Sequence, residues 1–176
     1  MFNALIEFIR EIYKTDEFIP LHEPNFLGKE REYVLDTIDS TFVSSVGEYV
    51  NIFEERIAEY TGVNHAIATV NGTSALHTSL KLSGVSVNDE VITQSLTFIA
   101  TSNAIVYCGA IPNYLDVDKD TLSLSPINLE SFLVKNCEIR NDGYCWNKLT
   151  DRRIKSCILM HTFGLAGRAQ EIKDIC

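Results

Sequence analysis

Asn71-Gly72-Thr73-Ser74-Ala75-Leu76 is the stretch on which the fold turns. The segment before it, Ala66-Ile67-Ala68-Thr69-Val70, is apolar and β-prone. The segment after it, Ala75 to Leu82, sets Leu76 and Leu80 one helical turn apart. Strand, glycine turn and two hydroxyl side chains at a helix start together make a grip for a phosphate. First-turn N–H groups have no partner inside the helix, and the helix dipole there favours an anion. Thr73 and Ser74 add hydroxyl donors, and Gly72 lets the backbone approach closely. Two alternatives fit the same stretch. Asn-Gly is also a hairpin-turn signal, and Leu76, Thr78, Leu80 and Leu82 alternate as strand residues do. The other is ordinary helix capping by Thr73 or Ser74, with no ligand at all.

The rest of the chain weighs against the hairpin. Strand-like and helix-like segments alternate: Ala66–Val70 then Thr73–Leu82, Glu90–Thr93 then Thr97–Tyr107, and Pro112–Val117 then Pro126–Leu133. A strand at Lys155–His161 leads into a helix from Ala169. Such alternation predicts an α/β fold with a mostly parallel sheet, flanking helices and ligands at the carboxyl ends of the strands. Before it, Phe2–Ile12 predicts an amphipathic helix with Leu5, Ile6, Ile9 and Ile12 inward. Helices are also expected over Glu30–Ile38, with Tyr33, Val34 and Ile38 buried, and over Val50–Tyr60. The polar stretch Asn136–Arg153, with Asn141-Asp142-Gly143 as a turn, is an inserted loop or hairpin. The expected organisation is a single incomplete domain over residues 1–176, with N-terminal helices and loops over 1–60. The βα segment then spans 61–176, with the insertion at 136–153. The sequence stops at Cys176 inside a helical pattern with no glycine cap, proline or polar tail, so the N-terminal portion of something longer is expected.

With 176 residues, 45% hydrophobic and 22% charged, the chain has the composition of a globular protein. Its net charge of −9, with scattered basic residues, argues against nucleic acid and anionic membrane as partners. Glu7, Arg10 and Glu11 interrupt the first apolar run, so it reads as neither signal peptide nor membrane span. The five cysteines form no close-spaced pair, which suits reduced thiols in the cytoplasm and no metal site. Asp116, Asp118 and Asp120 lack the glycine and the final acid of a calcium loop, so turn and cap duty is the better account.

Candidate chemistry gathers at the strand ends: Gly72, Thr73 and Ser74 at the first, Ser95, Thr97 and Phe98 at the second, His161 and Gly164 at the last. An aromatic just past a strand end can cover a flat ring, although core packing is the usual fate of such a side chain. His161 taken alone is as readily a hydrogen-bonded structural histidine. A phosphate grip beside an aromatic platform suggests a phosphorylated planar cofactor or a nucleotide.

In their order and spacing these residues resemble the DegT/DnrJ/EryC1/StrS sugar aminotransferases, pyridoxal-phosphate enzymes of fold type I. The resemblance runs through Ser44-Ser45-Val46-Gly47, Phe53-Glu54, Asn71–Leu76, Asp89–Ile92, Leu96–Thr101, Asp116-Val117-Asp118 and His161-Thr162-Phe163-Gly164. It implies the N-terminal portion of the fold-type-I large domain. It further implies that Gly72, Thr73 and Ser74 hold the phosphate of pyridoxal 5'-phosphate, and that Phe98 stacks on its ring. Ser44, Ser45, Gly47 and His161 would lie on the substrate side. The Ser44–Gly47 loop and the 136–153 insertion look most like the branch that makes amino sugars for legionaminic acid or bacillosamine. That branch aminates a UDP-linked 4-keto-6-deoxy-N-acetylhexosamine, with glutamate as donor, and a homodimer is implied. In that family a lysine forms the Schiff base and an acid pairs with the pyridinium nitrogen; neither matches a residue here, so no catalytic residue is assigned. The isolated chain is therefore expected not to transaminate. The alternatives are a non-catalytic remnant or module that binds a phosphorylated ligand, and a dehydratase of the same family with histidine in place of the lysine.

Overall fold

The computed structural model describes residues 2–20, 23–44 and 46–176. It divides into two compact units, Met1–Ala66 and Ile67–Cys176. The first holds α1 (Asn3–Tyr13), α2 (Glu30–Asp39) and α3 (Glu48–Thr61). Gly62, at φ +72°, ends α3 by donating its N–H back to the last turn. The Tyr33 and Tyr49 rings of α2 and α3 meet at 5.1 Å, and Tyr49 donates to Asp36 at 2.8 Å. That hydrogen bond to a carboxylate pushes the Tyr49 phenol up to about 12. The inward face expected of α1 is not inward: Leu5, Ile6, Ile9 and Ile12 are all exposed. Tyr33, Val34 and Ile38 are likewise exposed, and none of the three helices buries a residue. Periodicity decides which side chains share a face, whereas burial needs a second surface against that face.

The second unit is an α/β sandwich. Its strands are β1 (Glu90–Gln94), β2 (Ile111–Leu115), β3 (Cys137–Ile139), β4 (Cys145–Asn147) and β5 (Arg152–Ile158). They lie in the order β2-β1-β5-β4-β3. β1 pairs in parallel with both β2 and β5, whereas β3 and β4 form an antiparallel hairpin beside β5. All of β1 is buried, as a strand covered on both faces must be. Val91 faces α4 (Gly72–Leu82) and α5 (Ile99–Tyr107), joining Leu80, Val85, Ala104 and Ile105. Its neighbour Ile92 points the other way, to Leu124, to Leu129 of α6 (Pro126–Asn136) and to Ile172 of α7 (Ala169–Ile175). Each such large apolar side chain contributes roughly 1.5–3 kcal/mol on burial. Pro112 is tolerated because β2 is an edge strand with one side free of the ladder.

Over 136–153, where the sequence allows either a loop or a hairpin, a hairpin forms, turning through Gly143 at φ +78°. Two buried acids at the start of β1 anchor the hairpin and the strands beside it. Arg153 clasps Asp89 through Nε and Nη2 at 2.9 and 2.8 Å. Glu90 accepts from Asn113 and Asn147 at 2.9 Å each and from Thr150 at 2.6 Å. Both carboxylates thus keep the hydrogen bonds that burial would otherwise cost them. The strand expected at Ala66–Val70 is absent: the segment is irregular, with Ile67 and Val70 83% and 88% exposed. A β-prone segment becomes a strand only through a ladder partner, and among the described residues no strand pairs with it.

Candidate functional site

At the carboxyl edge of the sheet, α4 begins on an extended residue, Asn71, whose Oδ1 accepts the Ser74 N–H at 2.9 Å. Asn71 is therefore the cap, the role the sequence had offered to Thr73 or Ser74. The first bond along the helix runs from Ala75 N–H to Asn71 O. This leaves the Gly72 and Thr73 N–H groups at the helix start without a helical acceptor, beside the half-buried Thr73 and Ser74 side chains. A methyl added at Gly72 would meet nothing within 4 Å, so the space in front of this turn is open. Thr69 donates to Asn71 O at 3.0 Å and holds the turn from behind. Open space, unpaired donors and the positive end of a helix suit a phosphate.

α5 starts at the same edge, directly after β1. Its cap is Phe98, whose ring is 69% exposed rather than packed in the core. The Phe98 N–H points at Met160 Sδ, 3.4 Å away, and Thr97 Oγ1 lies 3.1 Å from the same sulfur. Met160 thereby ties the loop after β5 to the residue that carries the ring. The following residue, His161, is exposed and accepts the Gly167 N–H on Nδ1 at 2.9 Å, so its neutral ring carries the proton on Nε2. Next come Thr162, buried, and Phe163, held at φ +54° with its ring 85% exposed.

Beneath this edge lies Gln94, fully buried at the end of β1. Its Oε1 accepts from the N–H groups of Leu124 and Met160, both at 3.0 Å. Its Nε2 reaches Leu96 O at 2.9 Å, Leu122 O at 3.2 Å and Thr162 Oγ1 at 2.8 Å. One amide therefore joins the loops after β1, β2 and β5. Sequence reasoning passes over Gln94 and Met160; a lone polar residue closing an apolar strand is the signal that could mark the first. The acids after β2 do serve turns. Asp116 accepts the Val117 N–H at 2.8 Å, and Asp120 accepts from Thr121 and from Arg168.

Of the expected substrate-side residues, Ser45 lies outside the described residues, and Ser44 and Gly47 belong to the first unit. Ser44 Oγ accepts the Val46 N–H at 3.3 Å, and Gly47 precedes α3 in an extended conformation. Within that unit both line a cavity of about 860 Å³ with Asp36 and Tyr49. Gly72, Thr73, Ser74, Phe98 and His161 all belong to the second unit.

Helix start, exposed aromatic cap and sheet edge together define an α/β domain built to receive a phosphorylated ligand. Residues 26–176 match the DegT/DnrJ/EryC1/StrS aminotransferase family, and the chain belongs to that family. It is 46% identical over 133 residues to GDP-perosamine synthase of Caulobacter vibrioides, covering 76% of this chain and 36% of that protein. GDP-perosamine synthase of Vibrio cholerae is 34% identical over 158 residues, covering 90% of this chain and 38% of the relative. Among solved structures, the aminotransferase from Psychrobacter cryohalolentis superposes with a TM-score of 0.71 at 28% identity, covering 90% of this chain and 36% of the other. The chain thus spans little more than a third of the length of these relatives. Among the described residues no helix is long and apolar enough to cross a membrane.

Proposed function

We propose that this chain supplies the phosphate-binding turn and the ring-facing aromatic of a pyridoxal-phosphate-dependent sugar aminotransferase. The observation that carries this is the α4 start, where open space at Gly72 and unpaired N–H groups adjoin Thr73 and Ser74. Phe98 offers an exposed ring at the start of the neighbouring helix, the surface a planar cofactor needs. Bound there, pyridoxal phosphate would supply the electron sink for amino-group transfer. The substrate class is a nucleotide-linked 4-keto-6-deoxy sugar with glutamate as amine donor, in a cytoplasmic homodimer. The relatives' name, GDP-perosamine synthase, favours a GDP-linked sugar. The resemblance of the Ser44–Gly47 loop favours a UDP-linked N-acetylhexosamine, and turnover by the intact enzyme with each sugar separates the two. The reacting lysine is assigned outside these residues. In support, Lys155 lies 5.3 Å from the Tyr144 ring centre and against Gly84, in the middle of β5 rather than at its carboxyl end.

The test compares binding of pyridoxal phosphate and pyridoxal to the 176-residue chain by calorimetry. Hydrogen bonds to a charged group contribute about 1.5–3 kcal/mol each, so Thr73→Ala or Ser74→Ala should weaken the phosphorylated form about 10–100-fold and leave pyridoxal unchanged. Equal affinity for both forms would sink the phosphate assignment. Formation of amino sugar by the chain alone, with cofactor, glutamate and either keto sugar, would sink the assignment of the lysine.

A further inference from the structure

Four of the five cysteines, Cys137, Cys145, Cys157 and Cys176, line a single cavity of about 420 Å³ between the hairpin, β5 and α7. They sit as two hydrogen-bonded thiol pairs, Cys137 with Cys145 and Cys157 with Cys176. The pairs differ in access. Cys137 is buried in β3 and Cys145 half-buried in β4, and burial raises both thiols, Cys137 to about 12. Cys176 is exposed at the end of α7, its N–H fixed to Ile172 O at 3.0 Å. Cys157 is half-buried in β5, against the cluster that holds Ile92, Leu129 and Ile172. Among the described residues no group of three or more His, Cys, Asp or Glu is arranged for a metal ion, which leaves thiol chemistry for this cavity.

We propose that Cys157 and Cys176 form an oxidisable dithiol that hydrogen peroxide converts to a disulfide. An accessible thiol beside a half-buried partner is the arrangement such a reaction needs. The Cys157 S–H donates to the Cys176 sulfur, stabilising its thiolate and bringing that thiol down to about 7, while Cys157 is held protonated. The Cys176 thiolate attacks one peroxide oxygen and the O–O bond breaks. The departing hydroxide takes up a proton as water, and Cys176 becomes a sulfenic acid. The Cys157 sulfur then attacks the Cys176 sulfur, the S–O bond breaks, and the thiol proton leaves with the hydroxide as a second water. Peroxide is reduced by two electrons and the two thiols are oxidised by two.

The test exposes the 176-residue chain to hydrogen peroxide, blocks free thiols with iodoacetamide and maps the digest by mass spectrometry. A Cys157–Cys176 linked peptide is expected, with Cys108, Cys137 and Cys145 still alkylated. In Cys157→Ser the linked peptide should vanish and dimedone should label Cys176. Without peroxide, Cys176 should alkylate at least 10-fold faster than Cys108 at neutral pH, with a midpoint near 7 that moves up in Cys157→Ser. This preference should disappear in guanidinium chloride. Linkage of Cys145 to Cys176 or between two chains, alkylation of Cys176 no faster than Cys108, or a preference that survives denaturation would each overturn the proposal. Peptide mapping of the parent chain decides between these outcomes even where Cys157→Ser does not fold.

Discussion

Replacing Gln94 with leucine should show that the site edge is held from below by one side-chain amide. The side chains are close in volume, so the change removes polar atoms without opening a large cavity. It strips the acceptor from two backbone donors, the N–H groups of Leu124 and Met160. Leu96 O loses a donor, whereas Leu122 O keeps the Thr162 hydroxyl at 2.8 Å. A buried donor left unpaired costs about 1–3 kcal/mol, so two give about 2–6 kcal/mol. Allowing roughly 1–2 kcal/mol for the added apolar burial, the expected loss is about 1–4 kcal/mol. Urea denaturation followed by circular dichroism should then show a midpoint lowered by about 0.5–2 M for a slope near 2 kcal/mol/M. Gln94→Glu sharpens the test. It keeps an acceptor for the two N–H groups but turns a carboxylate oxygen toward the carbonyls of Leu96 and Leu122. Burial and those carbonyls favour the protonated acid, raising its folded-state value above the unfolded one. The variant's deficit should therefore be largest at neutral pH and shrink as the pH falls. A midpoint for Gln94→Leu within about 0.2 M of the parent chain would refute the amide's role, since that corresponds to less than one unpaired donor.

Asn71→Ala should cost about 1 kcal/mol through the lost cap. Asn71→Asp should retain stability but weaken pyridoxal phosphate binding by charge repulsion; equal binding by calorimetry would place the phosphate elsewhere. Phe98→Ala should weaken the cofactor about 5-fold or more, and Phe98→Trp should restore it, on the ~1 kcal/mol that an aromatic pair adds. If Phe98→Ala leaves the affinity unchanged, that ring does not face the cofactor. Asp120 is lowered by its backbone hydrogen bond and by Arg168. Its contribution to stability is therefore present above the ordinary value of 3.8 and lost as the pH falls through the depressed one. The melting temperatures of the parent and Asp120→Asn should converge in acid, and a constant gap across that range would refute the link.

The α/β alternation is legible in the sequence because each element of the second unit has its own period. β1 is apolar at both parities, and α6 opens with Ser125-Pro126, whose Ser125 Oγ accepts the Asn128 N–H. The expected Ala66–Val70 strand fails for the opposite reason: its residues prefer β structure, but a ladder needs a second strand, which no local pattern supplies. The apolar stripes of α1 and α2 exist as faces, yet nothing in their own sequence says whether a second surface covers them. Gln94 is invisible to local pattern because its partners lie 2, 28, 30, 66 and 68 residues away, so only the folded chain brings them together.

The Asn71–Leu76 turn shows why its alternatives are hard to separate on sequence. Capping and phosphate binding compete for the same N–H groups only if the cap comes from Thr73 or Ser74. Here the cap comes from Asn71, which takes the Ser74 N–H alone. The hydroxyls of Thr73 and Ser74 and the N–H groups of Gly72 and Thr73 are left for a ligand, so the cap and the grip coexist. The same asparagine that suggests a hairpin is thus the residue that fixes the helix start. A carboxylate there would cap as well, but it would bring a negative charge to a turn built to receive one.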